Sequence, residues 1–399
     1  MGFRLYGTLL IVLVAIVSQV VHGTEVCPWS PLQQKSEPTC GIGISPPSKD
    51  TEWEGPHNCI GKHCIFSNRQ FRGGIVLATT AENAAIVKRM VKEYTPKAED
   101  DTKSPSYYEA DIPGKGLGLI ANRTIRMGEH IMSNTPAAMM QLRLHNTMPD
   151  KYQVGMYNMA VQKLPAPTRR AFRSLVGDTI VDILNKNCFR MDIDGDKEEA
   201  HHLGCFLDVA RFNHDCRPNI QYHIRNLTIT TIAVRDIAPG EELSVSYIDA
   251  AMPRAERQER LQWWGFTCAC SHCLMPATEV SVSDARITQI VTLRDELDDP
   301  QSTAVTAETG RELVALYEAE RLDMYLGGAR TRAALNLALF GDVEGAREMA
   351  ARAVEALERE GGTGRADWLS MRQLAEDPEK HWTWGQRRGG GKGRGPKPK

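Results

Sequence analysis

Apolar and polar positions follow two different periods along the chain. Over 105–250, short runs rich in Ile, Val, Thr and Tyr are separated by Gly, Pro and Asn, as in LGLIAN, HIMSN, LTITTIAVRDI and ELSVSYI. Such runs predict many short β-strands. A segment with a helical pattern, about 141–185, interrupts them. Because strands and helices do not alternate regularly, the pattern favours a β-rich α+β domain over a βαβ repeat.

The C-terminal part has apolar positions at helical spacing, which predicts an α-helical region over 279–384. Within it, ALNLALFGD and AREMAARAVEAL flank a break at Gly341-Asp342 and look like one tetratricopeptide-type helical hairpin. One hairpin cannot bury its own apolar face, so we expect this region to pack on the preceding domain. Residues 385–399 carry six basic groups and no acid, which predicts a basic disordered tail.

The first residues have the form of a secretory signal peptide, predicted over 1–23. Arg4 precedes the apolar run LLIVLVAIV, and Gly23 offers a small residue for cleavage. The run is short for a membrane span of ~20 residues, so a cleaved signal leaves no span. We expect a secreted protein, or one of the secretory pathway. An uncleaved anchor and a wrongly assigned start codon are the alternatives, and the latter allows a nuclear or cytoplasmic location. If the chain enters the secretory pathway, glycosylation is expected at the sequons of Asn122 and Asn226.

Residues 24–100 form a cysteine-containing region that is rich in Pro, Gly and polar residues and is expected to be core-poor. Behind a signal peptide, its four cysteines suggest two disulfides with three possible connectivities. A zinc site with His57 and His63 is the alternative, although no tight CxxC pair is present. Within this region AENAAIVKRMVKEY predicts a helix, and TPKAEDDTKSPS a linker. The candidate disulfide cysteines are Cys27, Cys40, Cys59 and Cys64.

Composition narrows the function only slightly. The 399 residues, 42% of them hydrophobic and 25% charged, suit a globular protein of two or three domains. A formal net charge of -2 gives no general attraction to nucleic acid or acidic lipid. No direct binding of nucleic acid is therefore expected, and a monomer is the default assumption.

A tight cysteine cluster carries the clearest chemistry. The stretch CACSHC contains three cysteines too close together to be satisfied by one disulfide. Tetrahedral structural zinc requires four ligands, and the cysteine of the earlier stretch NHDC is the natural fourth donor. Disulfides are the alternative, which secretion permits. The predicted zinc ligands are Cys216, Cys268, Cys270 and Cys273.

Several motifs in one order resemble a known family. PGKGLGLIANRTIRMGEHI, NKNCFRM, NHDCRPN, IAVRDIAPGEELSVSYID and RQERLQWWGFTCACSHC together resemble a SET domain, 105–250, followed by a post-SET zinc segment, 251–278. SET-and-MYND-like and fungal-type SET proteins are the most similar in character, although the MYND insert is missing. The glycines also fit the dinucleotide fingerprint GxGxxA, but the β-like sequence after them lacks the helix that would hold a pyrophosphate.

The resemblance implies an S-adenosylmethionine-dependent protein-lysine N-methyltransferase acting on a protein substrate with an exposed lysine. Tyr247 would be the catalytic residue at the point of methyl transfer. The substrate-lysine channel would be lined by Phe189, Tyr247 and Phe266. The cofactor would be bound by Lys115, Gly116, Leu117, Gly118, Asn187, Asn213, His214, Tyr247 and Phe266. Trp263-Trp264 departs from the family pattern, in which a smaller or tyrosine-bearing sequence is common.

A second hypothesis is a secreted, non-catalytic SET scaffold that acts as a protein-binding module. The signal peptide favours it, because the cofactor and the usual histone and cytosolic substrates are not expected outside the cell. The complete glycine, NHDC and Tyr247 elements favour the enzyme, since a scaffold has no physical need for all three.

Overall fold

The structure, a computed structural model, describes residues 53–94, 105–195, 197–359 and 364–387. The predicted signal peptide, Cys27, Cys40 and residues 388–399 of the predicted tail lie outside these ranges, as does nearly all of the linker. The strands are β1 (Trp53–Ile60), β2 (His63–Asn68), β3 (Ile75–Thr80), β4 (Tyr107–Ile112), β5 (Gly116–Ala121), β6 (His130–Asn134), β7 (Ala138–Gln141), β8 (Phe189–Asp192), β9 (His201–Cys205), β10 (Asn213–His214), β11 (Ile220–Arg225), β12 (Thr228–Ala233) and β13 (Glu242–Val245).

The described strands form three sheets. Their orders are β1-β2-β3-β7-β9-β8, β10-β13-β5-β4 and β11-β12-β6. The four apolar runs noted in the sequence form β5, β6, β12 and β13, so the prediction of many short strands is confirmed. The two β10 residues pair in parallel with β13, and β13 pairs antiparallel with β5. This four-stranded sheet therefore brings together segments from three distant parts of the sequence.

The cysteine-containing region contributes to the largest sheet. Strand β3 pairs in parallel with β7, so residues from 53 to 80 share a sheet with the strands around the helical insert. Every residue of β3 is buried. The expectation of a core-poor segment is therefore wrong for β2 and β3, because their short apolar runs are masked by the Gly, Pro and polar residues around them. Cys59 and Cys64 form a disulfide across the β1–β2 hairpin.

The helices follow the predicted distribution. The helix expected after β3 is present, and Thr80 caps it by accepting a hydrogen bond from the Asn83 amide. Four helices occupy the predicted insert and cover a core shared with β3 and β7. The helices are α1 (Ala81–Glu93), α2 (Leu142–Thr147), α3 (Asp150–Gln162), α4 (Ala166–Arg173), α5 (Ile180–Asn187), α6 (Arg254–Leu261), α7 (Ala277–Asp298), α8 (Thr309–Ala319), α9 (Leu326–Phe340), α10 (Val343–Arg359) and α11 (Ala366–Glu376).

The C-terminal helices pack in sequence order, and α9 and α10 form the predicted hairpin. Gly341 ends α9 with a φ of 81°, a conformation that favours glycine. The tetratricopeptide-type assignment stays a prediction. The first residues of the predicted tail lie against α9, where the Gly385 amide donates to the Ala338 carbonyl at 2.9 Å. No helix in the described part of the chain combines the length and apolar composition that crossing a membrane requires.

The helical region packs on the strand domain, as expected. Ala250 and Ala251, just after β13, share an apolar cluster with residues of α7, α8 and α9. Beside this cluster, the side chains of Arg217 and Glu320 form an ion pair at 2.7 Å, with only 4% and 0% of them exposed. Arg286 of α7 binds the other carboxylate oxygen at 2.6 Å. The buried Glu320 carboxylate therefore joins the loop after β10 to the C-terminal helices.

Removing this carboxylate should be strongly destabilising. We expect Glu320→Ala to lower the free energy of unfolding by about 3–5 kcal/mol, because Arg217 would be left as a buried charge without its partner. Glu348→Ala is the matched control, since Glu348 pairs with Arg352 on an exposed helix surface and should cost less than about 1 kcal/mol. Urea unfolding followed by tryptophan fluorescence measures both. Equal unfolding midpoints for the two variants would contradict the assigned role of Glu320.

Candidate functional site

The glycine-rich turn between β4 and β5 is an open backbone loop. Gly114 and Gly116 have φ angles of 75° and 73°, which favour glycine at both positions. A Cβ atom added to Gly116 would meet nothing within 4 Å, so a ligand can approach its backbone closely. The Lys115 ammonium is 2.6 Å from a Glu242 carboxylate oxygen of β13. The turn is therefore open on one side and fixed to the sheet on the other.

The Asn213 side chain connects this turn to β10 through hydrogen bonds. Its side-chain amide donates to the Leu117 carbonyl at 3.3 Å and to Glu242 Oε1 at 2.9 Å. A Cβ atom at Gly118 would come within 2.7 Å of the same amide nitrogen, so any other residue would require Asn213 to shift. Glu242 thus binds both Lys115 and Asn213. Sequence reasoning missed Glu242, because nothing in the stretch GEEL distinguishes it from Glu241.

His214 is a buried, neutral bridge. The Tyr247 amide donates to its Nδ1 at 3.1 Å, and its Nε2 lies 3.4 Å from the Cys216 sulfur. Because Nδ1 accepts a hydrogen bond, the ring proton belongs on Nε2, where it can be donated to sulfur. Burial lowers the pKa of His214 to about 4, so the imidazole stays neutral near pH 7.

Tyr247 sits at the centre of an aromatic group. Its ring centroid lies 5.4 Å from those of His214 and Trp264, and 6.4 Å from that of Phe266. Its hydroxyl donates to the Phe212 carbonyl at 2.9 Å. Burial raises the pKa of Tyr247 above its usual value, so the phenol keeps its proton near pH 7.

Asn187, the last residue of α5, lies at the edge of this arrangement. The Asn187 amide donates to the carbonyls of Val176 and Ile183, both at 2.7 Å, so it is held by α5 and by the loop before this helix. The Trp264 indole donates to the Lys186 carbonyl at 3.1 Å, which places this helix end beside Tyr247.

Phe189 packs in a second aromatic group. Its ring centroid lies 5.0 Å from that of Tyr222 and 6.0 Å from that of Phe206. Sequence reasoning missed Tyr222, because IQYHIR is an ordinary strand sequence. The structure thus brings the glycine turn, Asn213, His214, Tyr247 and Phe266 together, while Asn187 and Phe189 approach from the side of the helical insert.

The four predicted zinc ligands converge. The sulfurs of Cys216, Cys268, Cys270 and Cys273 all lie within 4.8 Å of one another, and all four residues are buried. Cys216 Sγ is 3.5 Å from Cys273 Sγ and 4.0 Å from Cys268 Sγ. A tetrahedral ion with metal–sulfur bonds of ~2.3 Å places its sulfurs roughly 3.8 Å apart. The spacing and the donor chemistry both fit, so the cluster can hold a metal ion.

Helix α6 holds the cysteine loop in place. The Gln258 side chain donates to the Cys268 carbonyl and accepts from the Cys268 amide, both at 2.8 Å. Arg254 donates to the Cys273 carbonyl at 3.2 Å. Sequence reasoning did not identify these contacts, because RAERQERL has the composition of a solvated helix.

The two predicted glycosylation sites differ in their surroundings. Both asparagines are exposed. The Asn122 amide donates to the Pro105 carbonyl at 2.8 Å. Asn226 lies in the turn between β11 and β12 with a φ of 52°. Glycosylation stays a prediction at both positions.

Gly118 offers a test of the turn geometry. We expect Gly118→Ala to lower the free energy of unfolding by about 1–3 kcal/mol, because the new methyl group would collide with Asn213 and Ile112. Gly155→Ala is the control of opposite sign. Gly155 lies in α3 with open space around it, so alanine there should stabilise by about 0.4–1 kcal/mol. Thermal and urea unfolding measure both, and an unchanged Gly118→Ala variant would exclude the close approach.

The sequence is similar to those of known proteins. A model of the SET domain matches residues 116–248. The chain is 30% identical to histone-lysine N-methyltransferase set5 of Schizosaccharomyces pombe over 300 residues. This match covers 69% of this chain and 85% of that protein. N-lysine methyltransferase SMYD2-B of Danio rerio is 29% identical over 134 residues, or 33% of this chain and 29% of that protein. Human N-lysine methyltransferase SMYD2 is 41% identical over 90 residues, or 22% and 20%. Since the match to set5 extends over most of both chains, this chain belongs to the SET-domain protein methyltransferase superfamily.

Proposed function

We propose that the chain is an S-adenosylmethionine-dependent protein-lysine N-methyltransferase. The observation that carries the proposal is the convergence of the Lys115–Gly118 turn, the Asn213-His214 pair and Tyr247 at one place in the fold. Membership of the superfamily supports the same activity.

The residues fit the proposed cofactor. S-adenosylmethionine, when bound, supplies a methyl group that is already electrophilic, so the protein has to provide geometry rather than a strong nucleophile. The open backbone at Gly116 and the partly exposed Lys115 ammonium suit its amino-acid end. The side chains of Asn213 and His214 are engaged within the protein. Their contacts to the cofactor would therefore come from the backbone of β10.

Tyr247 is proposed to position the substrate amine. Its hydroxyl hydrogen is used on the Phe212 carbonyl, which leaves the oxygen lone pairs free to accept a hydrogen bond from the amine. Because burial raises the pKa of Tyr247, a phenolate that could serve as a base is scarce near pH 7. The lysine would instead lose its proton to water as it enters the apolar channel, since desolvation lowers an amine pKa. Phe189 and Phe266 would line that channel.

The cysteine cluster is proposed to hold a structural zinc ion. Four cysteine ligands leave no open position for water, so the ion would have no part in the reaction itself. Its effect would be positional. Phe266 lies two residues before Cys268 and its ring is 6.1 Å from that of His214, so fixing the cysteine loop also fixes this wall of the site.

The secretory route stays part of the proposal. The signal sequence predicts it, and the disulfide between Cys59 and Cys64 suits an oxidising compartment. Mass determination of the protein from its own source would identify the mature N-terminus. A chain that begins at Thr24 supports this location, and an intact first residue contradicts a cleaved signal peptide.

Tyr247→Phe tests the proposed activity. We expect methyl transfer to a lysine-peptide array to fall on the order of a hundredfold, because the amine loses its hydrogen-bond acceptor and its alignment. Cofactor affinity, measured by calorimetry, should stay close to wild type. Tyr108→Phe is the control, since Tyr108 is 52% exposed on β4. Full turnover of Tyr247→Phe would refute the assigned role. A wild-type chain without cofactor affinity would leave the non-catalytic scaffold as the better hypothesis.

The zinc proposal predicts about one zinc per chain and reduced cysteines in the cluster. Cys268→Ser should lose zinc and weaken cofactor binding, because Phe266 would no longer be fixed. Cys205→Ser is the control, since Cys205 is equally buried but lies outside the cluster, and it should keep the metal. Elemental mass spectrometry measures the zinc content, and thiol counting measures the number of reduced cysteines. A metal-free protein with these cysteines in disulfides would overturn the proposal.

A further inference from the structure

The largest fully buried side chain in the described part of the chain is an arginine. Arg257 of α6 is 1% exposed. The same helix contributes Leu261 to the apolar cluster that contains Cys216, Cys268, Cys270 and Cys273. Lysine and arginine are almost never fully buried without a partner of opposite charge. Its burial therefore requires a specific compensating group.

No carboxylate in the described residues compensates Arg257. Its Nη1 donates to the Met252 carbonyl, and its Nε is buried without a hydrogen-bond acceptor. Burial alone would lower the pKa of the Arg257 guanidinium, but the nearby sulfurs of Cys216 and Cys273, as thiolates, raise it. Arg217, the other buried arginine near the cluster, differs because it is paired with Glu320.

The charge of the cysteine cluster decides whether Arg257 is compensated. Four neutral thiols, or two disulfides, would leave a buried cation without a counter-charge, which is costly. Four thiolates around a divalent ion carry a net negative charge and can accept N–H hydrogen bonds. Arg257 is thus suited to a metal-loaded cluster and unsuited to an oxidised one.

We infer that Arg257 is a positioning residue of the metal centre, which donates N–H hydrogen bonds to the thiolates of Cys216 and Cys273 and neutralises part of their charge. The inference rests on the proposed zinc site and names the residue that stabilises it.

The placement of α6 supports this role. Arg254, Arg257 and Gln258 are spaced i, i+3 and i+4, so they lie on one face of the helix. Arg254 and Gln258 bind the backbone of Cys273 and Cys268. The same face thus holds the backbone of the cysteine loop and presents a cation to its sulfurs.

The first test compares zinc release from the full-length chain. Wild type, Arg257→Met, Arg257→Lys and Arg260→Met are mixed with a chromogenic zinc chelator. We expect release from Arg257→Met to be on the order of ten times faster, because outer hydrogen bonds contribute this much to metal affinity. Arg257→Lys keeps the charge and should show a smaller increase. Arg260→Met is the matched control, since Arg260 lies on the same helix but pairs with Glu256 at the surface.

A second readout separates the metal role from simple packing. In cobalt-substituted protein, removing a cation and N–H donors from the thiolates should move the sulfur-to-cobalt charge-transfer band to lower energy in Arg257→Met. A loss of packing alone would leave this band in place. If Arg257→Met does not fold, the band of Arg257→Lys supplies the comparison, with a smaller shift expected.

The outcomes distinguish the two proposals. Faster release with a shifted band supports the role of Arg257. Wild-type protein that holds zinc, together with an Arg257→Met variant of unchanged release rate and band, overturns this inference and leaves the zinc site intact. Wild-type protein without zinc overturns both.

Discussion

Four buried sulfurs within 4.8 Å of one another impose the constraint on which the rest of the site depends. One belongs to the loop after β10, and the other three come from a segment about fifty residues later. Sulfurs at this spacing are too far apart for disulfides and fit a shared ion. Because a shared ion would close this stretch of chain, it would limit the positions available to the residues between its ends. That stretch includes β13, Tyr247, α6 and Phe266.

The charged residues around the cysteine cluster also connect separate parts of the chain. Two buried arginines flank it, and they are compensated differently. Arg217 is paired with Glu320, which ties the strand domain to the C-terminal helices. Arg257 has no carboxylate partner among the described residues, and the cysteine sulfurs are its proposed partners. A buried charge is tolerated only where its partner is fixed. The helical region is therefore held to the SET domain by the Arg217–Glu320 pair as well as by apolar packing.

Sequence reasoning succeeded where the signal is local. Short apolar runs between turn residues predicted β5 and β12, and the Gly341 break predicted the end of α9, because these depend on neighbouring residues alone. It failed where the structure depends on contacts between segments that are distant in the sequence. The parallel pairing of β3 with β7 and the role of Glu242 arise only when separate segments meet. Arg257 is the clearest case, since α6 looks solvated in sequence and yet buries its central cation.

The cysteine cluster and the proposed reaction centre are joined by one imidazole. His214 accepts a hydrogen bond from the Tyr247 amide at Nδ1, and this acceptance leaves its Nε2 hydrogen facing the Cys216 sulfur. Burial lowers the pKa of His214, which prevents a second proton from breaking the first contact. Since both ring nitrogens are occupied, we expect a displacement of Cys216 to shift the backbone of Tyr247. A metal site without an open coordination position would thus still determine where the Tyr247 hydroxyl meets its substrate.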